Sequence, residues 1–195
     1  MRGWKVSVPG TYLERNEVLS IIDAVSQVSR HIERDQLLLR TMWETGGRVS
    51  EVIQLGYHQI IEADLAVILR NLKREEVEYK KPYISQRLIE ALLTFCEVHR
   101  ITGEDYVFPA NRLYVWRLVT KAAKYANVYK PNLTRGRMVP AWPHLFRHAC
   151  AMEILSKTGR TEKAQRQLGH SSIITTQVYA TLSLEKSDRE ISDIW

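Results

Sequence analysis

Trp142-Pro143-His144-Leu145-Phe146-Arg147-His148 opens a helix and loads its first turn with a guanidinium and two imidazoles. Proline suits a helix start, because its missing N–H would have no intrahelical partner there. His144 and Arg147 are three apart, so their side chains share one face, with His148 adjacent to both. His144 and His148 also stand at the i, i+4 spacing of two zinc ligands. A zincin needs Glu directly after the first histidine, where Leu145 stands, and the sequence shows no third ligand. No metal is therefore expected. No Gly-x-x-x-x-Gly-Lys phosphate loop is present either, which removes the ATPase reading.

Two further patterns flank this stretch. Upstream, Thr45-Gly46-Gly47-Arg48-Val49-Ser50-Glu51 is a glycine turn that delivers an arginine to the start of a helix. A lone arginine in that place is usually a surface charge. Downstream, Leu168-Gly169-His170-Ser171-Ser172 leads through Ile173 to Thr176 into Val178-Tyr179. Gly169 supplies a turn that presents His170, and Ser171 or Ser172 can cap a short helix. Tyr179 follows about two helical turns later. Read singly, a tyrosine on a late helix is more often a core or interface aromatic than a nucleophile.

The surrounding sequence predicts mainly helix. After an extended lead-in (1–12), broken by Pro9-Gly10, apolar residues at Val18, Leu19, Ile21, Ile22 and Val25 predict an amphipathic helix over Leu13 to Val28. Leu37, Leu38, Leu39, Met42 and Trp43 mark a second helix, ended by Gly46-Gly47. A short third helix is expected over Ser50 to Leu55. Gln59 to Ile61, Ala66 to Leu69 and Val77 to Ile84 are short, β-prone and separated by polar turns, which predicts a small antiparallel sheet with Pro82 at an edge or strand end. Helices follow over Ser85 to Arg100, Asn111 to Asn127 and Pro143 to Lys157. The fold class is thus mainly α with a small antiparallel β-sheet (α+β).

Bulk properties set limits. The 195 residues, 45% hydrophobic and 26% charged, describe an ordinary globular chain of one domain. A formal charge of +6 permits nucleic-acid binding without proving it. Basic residues crowd the second half, at Lys121, Lys124, Lys130, Arg135, Arg137, Lys157, Arg160, Lys163 and Arg166; a solvated surface accounts for most of them. Cys96 and Cys150 lie far apart in helical segments and read as buried free thiols, which suits a reducing cytosol. No membrane span or signal peptide is legible, so a cytoplasmic, nucleoid-associated location without membrane attachment is expected.

Taken together, the three patterns resemble the tyrosine recombinase, or phage integrase, family. Its fingerprint is an arginine after a glycine-containing turn followed by Ser-Glu, then His-x-x-Arg-His, then Leu-Gly-His-Ser-Ser, then a nucleophilic tyrosine. All are present in order, across Pro9 to Tyr179. The resemblance implies a catalytic domain over 13–181 and a tail, 182–195, that packs either on a neighbouring protomer, as is frequent in recombinases, or on its own domain. It also implies roles. Tyr179 is the nucleophile, and Arg48 and Arg147 grip the scissile phosphate, for which the planar guanidinium fork is suited. His144 exchanges a proton with the tyrosine, and His170 hydrogen-bonds the phosphate. Glu51 and His148 support the site. The family's general acid is a lysine on a strand turn, best matched by Lys73, with Arg74, Lys80 and Lys81 as competing neighbours.

The implied reaction needs no cofactor. Tyr179 displaces a 5′ oxygen to form a 3′-phosphotyrosyl bond, which a second 5′-hydroxyl reverses. The implied partner is double-stranded DNA with specific recombination sites, bound by monomers that become a homo-tetramer on paired sites. Two rivals share the fold: a type IB topoisomerase, which usually carries lysine where His144 stands, and a DNA-binding protein that has lost catalysis. Most relatives add an N-terminal helical domain, whereas this chain opens almost directly on the catalytic part. It reads either as a fragment or as an unusually short member, with weak, salt-sensitive DNA binding expected of a fragment.

Overall fold

Apolar residues at helical spacing build the first half of the core in the computed structural model, which describes residues 12–71, 78–132 and 136–169. The lead-in at 1–11, the tail, and Lys73, Arg74, Arg135, His170 and Tyr179 lie outside the described residues. Helix α1 (Arg15–Val28) buries Val18, Ile21, Ile22 and Val25 along one stripe. Helix α2 (Ile32–Thr45) buries Leu37, Leu38, Leu39, Met42 and Trp43 on several sides, because it packs against α1, α4 and α6 at once.

Helix α2 starts before its apolar cluster, a turn earlier than the sequence pattern indicates. The reason is tertiary. Asp35, in its first turn, is fully buried yet satisfied: it accepts from Ser29 Oγ at 2.5 Å, from the Tyr114 hydroxyl and from the Arg34 guanidinium. Buried carboxylates persist only with such partners. Helix α3 (Val49–Val52) is also shorter than predicted, and the chain leaves it so that the Leu55 carbonyl can accept from Val107 N–H.

The β-prone stretch forms two short antiparallel ladders rather than one continuous sheet. Strand β1 (Ile60–Ile61) pairs with β2 (Ala66–Val67), and β3 (Leu69–Asn71) pairs with β4 (Glu78–Lys80). Pro82 lies past the end of β4, where its carbonyl still accepts from Val67 N–H; a proline loses a donor but keeps its acceptor. In β3–β4, Lys80 is directly opposite Leu69. Opposed residues project to the same face, and Leu69 belongs to the core. The register therefore turns Lys80 inward.

Helix α4 (Gln86–Val98) is capped by Ser85, whose hydroxyl accepts from Leu88 N–H, and α5 (Arg112–Tyr125) is capped in the same way by Asn111. Between α5 and α6 lies a hairpin that the sequence reading did not anticipate, β5 (Tyr129–Asn132) with β6 (Arg137–Pro140). Pro131 and Pro140 argue against strands, but a two-stranded ladder is all edge and tolerates them. Helix α6 (His144–Thr158) follows, with Pro143 already in helical geometry, and α7 (Thr161–Leu168) packs against it. The architecture is mainly α with small antiparallel β elements. Among the described residues, no helix is long and apolar enough to cross a membrane.

Candidate active site

Gly46 closes α2 in the left-handed region, at φ +58°, a conformation that disfavours residues with a Cβ. The turn swings the chain so that Arg48 starts α3. Glu51, one turn on, then accepts twice from that residue: its Oε2 from Arg48 N–H at 2.9 Å and its Oε1 from Arg48 Nη1 at 2.5 Å. The carboxylate has no solvent exposure, whereas the Arg48 side chain is 33% exposed. Glu51 thus fixes the base of a guanidinium whose other side opens to solvent.

Arg147 comes from the first turn of α6 and is buried. Its Nη1 donates to the Gly46 carbonyl at 2.6 Å and its Nη2 to the Leu168 carbonyl at 3.0 Å. These are the terminal carbonyls of α2 and α7, which have no intrahelical partner and carry the negative end of the helix dipole. Gln167 ties the same end of α7 to its surroundings, donating to Glu44 O and Tyr83 O and accepting from Tyr83 N–H. Gly169 then turns at φ +64°, the position from which the chain passes to His170.

His144 lines a pocket of about 420 Å³ with Gly47, Arg48, Ser50, Glu51, Trp116 and Trp142. The residue as a whole is exposed, yet protein atoms crowd its imidazole. That crowding, followed by the charges of Arg147 and Arg48, pulls its pKa down to about 4. The imidazole is therefore neutral at pH 7 and able to accept a proton. The same pair of arginine charges registers at Lys80, so Arg48, Arg147, His144 and Lys80 share one electrostatic neighbourhood. His148 stacks edge-on to His144, with ring centroids 4.6 Å apart. Among the described residues, no group of three or more His, Cys, Asp or Glu side chains gathers as a metal site requires.

Of the residues singled out in the sequence, Arg48, Glu51, His144, Arg147 and His148 are brought together. Lys80, a competing neighbour of Lys73 in the sequence, lies inside this cluster, with Nζ 2.7 Å from Glu51 Oε2. Two tryptophans to which the sequence assigned no role also line the pocket. Trp142 is written into the histidine motif itself, whereas no local signal connects Trp116, on α5, with Arg48.

These features define a mainly helical domain in which a braced arginine and a neutral histidine line an open pocket, with a second, buried arginine close enough for its charge to act on that histidine. The chain belongs to the phage integrase family, whose model matches residues 11–186, and it carries that family's tyrosine recombinase catalytic domain. It is 29% identical over 183 residues to the tyrosine recombinase XerD of Staphylococcus saprophyticus, an alignment covering 88% of this chain and 58% of that protein. The chain thus spans little more than half the length of that relative. Among solved structures it is similar to the XerH site-specific recombinase bound to palindromic difH substrate in a post-cleavage complex (TM-score 0.75, 19% identity, 95% of this chain and 53% of that one). It is also similar to the catalytic domain of bacteriophage HP1 integrase (TM-score 0.65, 22% identity, 88% of this chain and 87% of that one).

Proposed function

We propose that this chain breaks and rejoins DNA strands at specific recombination sites, with Tyr179 as the nucleophile. The observation that carries the proposal is the clustering of Arg48, Arg147 and a neutral His144: Arg48 and His144 line one pocket, and the charges of both arginines act on His144. As the Tyr179 oxygen adds to phosphorus, negative charge grows on the non-bridging oxygens, and two guanidiniums with His170 offset it. A phenol with an ordinary pKa near 10 needs an acceptor at pH 7, and His144, held neutral, is suited to take its proton. The bond to the 5′ oxygen breaks, and Lys73 supplies the proton that this oxygen gains. Attack by a second 5′-hydroxyl on the 3′-phosphotyrosyl bond restores the phosphodiester and releases the tyrosine, so no outside energy source is required.

Double-stranded DNA carrying a recombination site is the proposed partner, in line with the DNA-bound state of the XerH neighbour. The proposed assembly is monomeric when free and tetrameric on paired sites, with the 182–195 tail packing on a neighbouring protomer; light scattering with and without DNA tests it. His144, standing where type IB topoisomerases usually carry lysine, weighs against the relaxing-enzyme reading.

The deciding experiment is incubation with a nicked suicide duplex that carries the site. A denaturant-resistant protein–DNA adduct that disappears in Tyr179→Phe is the expected result. Its absence on a site that the chain demonstrably binds would leave a binding protein of the same fold.

A further inference from the structure

Strand β4 ends on Lys80, whose side chain is only 6% exposed. Its aliphatic stem runs beneath Gly169: a Cβ on that glycine would lie 2.9 Å from Lys80 Cδ and 3.2 Å from Lys80 Cβ. Its Nζ stands 2.7 Å from Glu51 Oε2 and 3.4 Å from the Leu168 carbonyl. Each of these acceptors has a second donor. Glu51 holds Arg48 through its other oxygen, and the Leu168 carbonyl holds Arg147. Lys80 therefore shares one acceptor with each of the two arginines of the site.

A buried ammonium beside two guanidiniums is costly. Burial pulls Lys80 down to about 8; the Glu51 carboxylate opposes this, and Arg147 and Arg48 add to it. For packing alone, an apolar side chain of similar length would be as good or better, since replacing buried ion pairs by hydrophobic groups is often neutral or stabilising. What an apolar side chain lacks is direction. Without Nζ, Glu51 loses one of the partners that fix its rotamer, and the last carbonyl of α7 loses one of its two donors.

Resting on the recombinase reading above, we infer that Lys80 is a positioning residue for strand cleavage, orienting Arg48 through Glu51 and Arg147 through the Leu168 carbonyl. In this inference Lys80 acts through Glu51 and the Leu168 carbonyl rather than on the reacting atoms, and proton delivery to the 5′ oxygen stays with Lys73 as proposed above.

The test uses the full chain with Lys80→Met, Lys80→Gln, Glu51→Gln and the Lys80→Gln/Glu51→Gln double variant, each checked for folding by its melting transition. The first readout needs no activity: the guanidinium Nε–Hε resonances of Arg48 and Arg147 in the DNA-free protein. They should shift or broaden in Lys80→Met while those of Arg112 and Arg117 stay in place. The second readout is the single-turnover rate of adduct formation beside the Kd for the same duplex. Small misplacements of catalytic groups cost up to about 10²-fold, so the rate should fall roughly 10- to 100-fold in Lys80→Met with Kd nearly unchanged. The double variant should be no slower than the slower single one, because both changes break one chain of contacts.

Should Lys80→Met fail to fold, Lys80→Gln is read in its place. Unmoved guanidinium resonances, a wild-type cleavage rate in the variant, or fully multiplicative losses in the double variant would each overturn the inference. If wild type forms no adduct, the recombinase reading fails, while the resonances still decide whether Lys80 positions the two arginines.

Discussion

Gly46→Ala tests the link between the α2 turn and the arginine pocket. Gly46 has φ +58°, and a Cβ built there meets Leu168 Cδ2 at 2.2 Å and Cys150 Sγ at 3.1 Å. The left-handed backbone costs an alanine about 1–2 kcal/mol, and forcing a methyl into a filled core adds about 1–3 kcal/mol. The sum is about 2–5 kcal/mol. For a chain of this length each kcal/mol moves Tm by roughly 2–4 °C, so a fall of about 4–20 °C is expected. Gly159 is the control, because its φ is +61° but nothing lies within 4 Å of its Cβ position. Gly159→Ala should lose only the backbone part, about 1–2 kcal/mol.

Urea denaturation of both variants reads the difference directly. Because the clash is with Leu168, whose carbonyl anchors Arg147, Gly46→Ala should also slow adduct formation at temperatures where it remains folded. Adding Leu168→Ala should cost less in the Gly46→Ala background than in wild type, since neighbouring sites couple. Equal destabilisation by Gly46→Ala and Gly159→Ala would refute the steric part of this reasoning.

Three other outcomes are expected. Arg147→Lys cannot span the Gly46 and Leu168 carbonyls with a planar fork, and single-turnover cleavage should drop roughly 10²–10³-fold with a much smaller change in Kd. For His144, the folded-state pKa lies near 4 against an ordinary 6.5. Unfolded chains therefore take up this proton first as pH falls, and the stability contribution is whole above about 6.5 and is lost from there toward about 4. Between about pH 7 and about pH 5, His144→Gln should accordingly lose less stability than wild type in urea titrations; identical losses refute the shift. Finally, burial raises the Cys96 thiol to about 11 and the Cys150 thiol to about 12. Both should resist a disulfide reagent at about pH 8 in the native protein and react once it is denatured; rapid labelling of the folded chain contradicts their placement.

Much of the fold was legible because amphipathic helices and their caps are local. The apolar stripe from Val18 to Val25, the helix starts at Ser85 and Asn111, the helix stop at Gly46 and the turn at Gly169 each follow from a few neighbouring residues. The early start of α2 was not legible, because Tyr114, which satisfies Asp35, is 79 residues away. The β5–β6 hairpin was hidden by Pro131 and Pro140, which are tolerated only because both strands are edges.

For the site the division is similar. The sequence alone determined which residues to propose for the chemistry of the family, because the motifs around Arg48, Arg147 and His170 lie in register with Tyr179 along the chain. Only the tertiary structure decided who holds them: Arg147 finds its carbonyl 101 residues back at Gly46, and Lys80 reaches across 88 residues to Leu168. A motif records spacing along the chain. A buried donor is satisfied by whatever acceptor the packed core places within about 3 Å of it, and that depends on the register of β3 with β4 and on where α7 comes to rest.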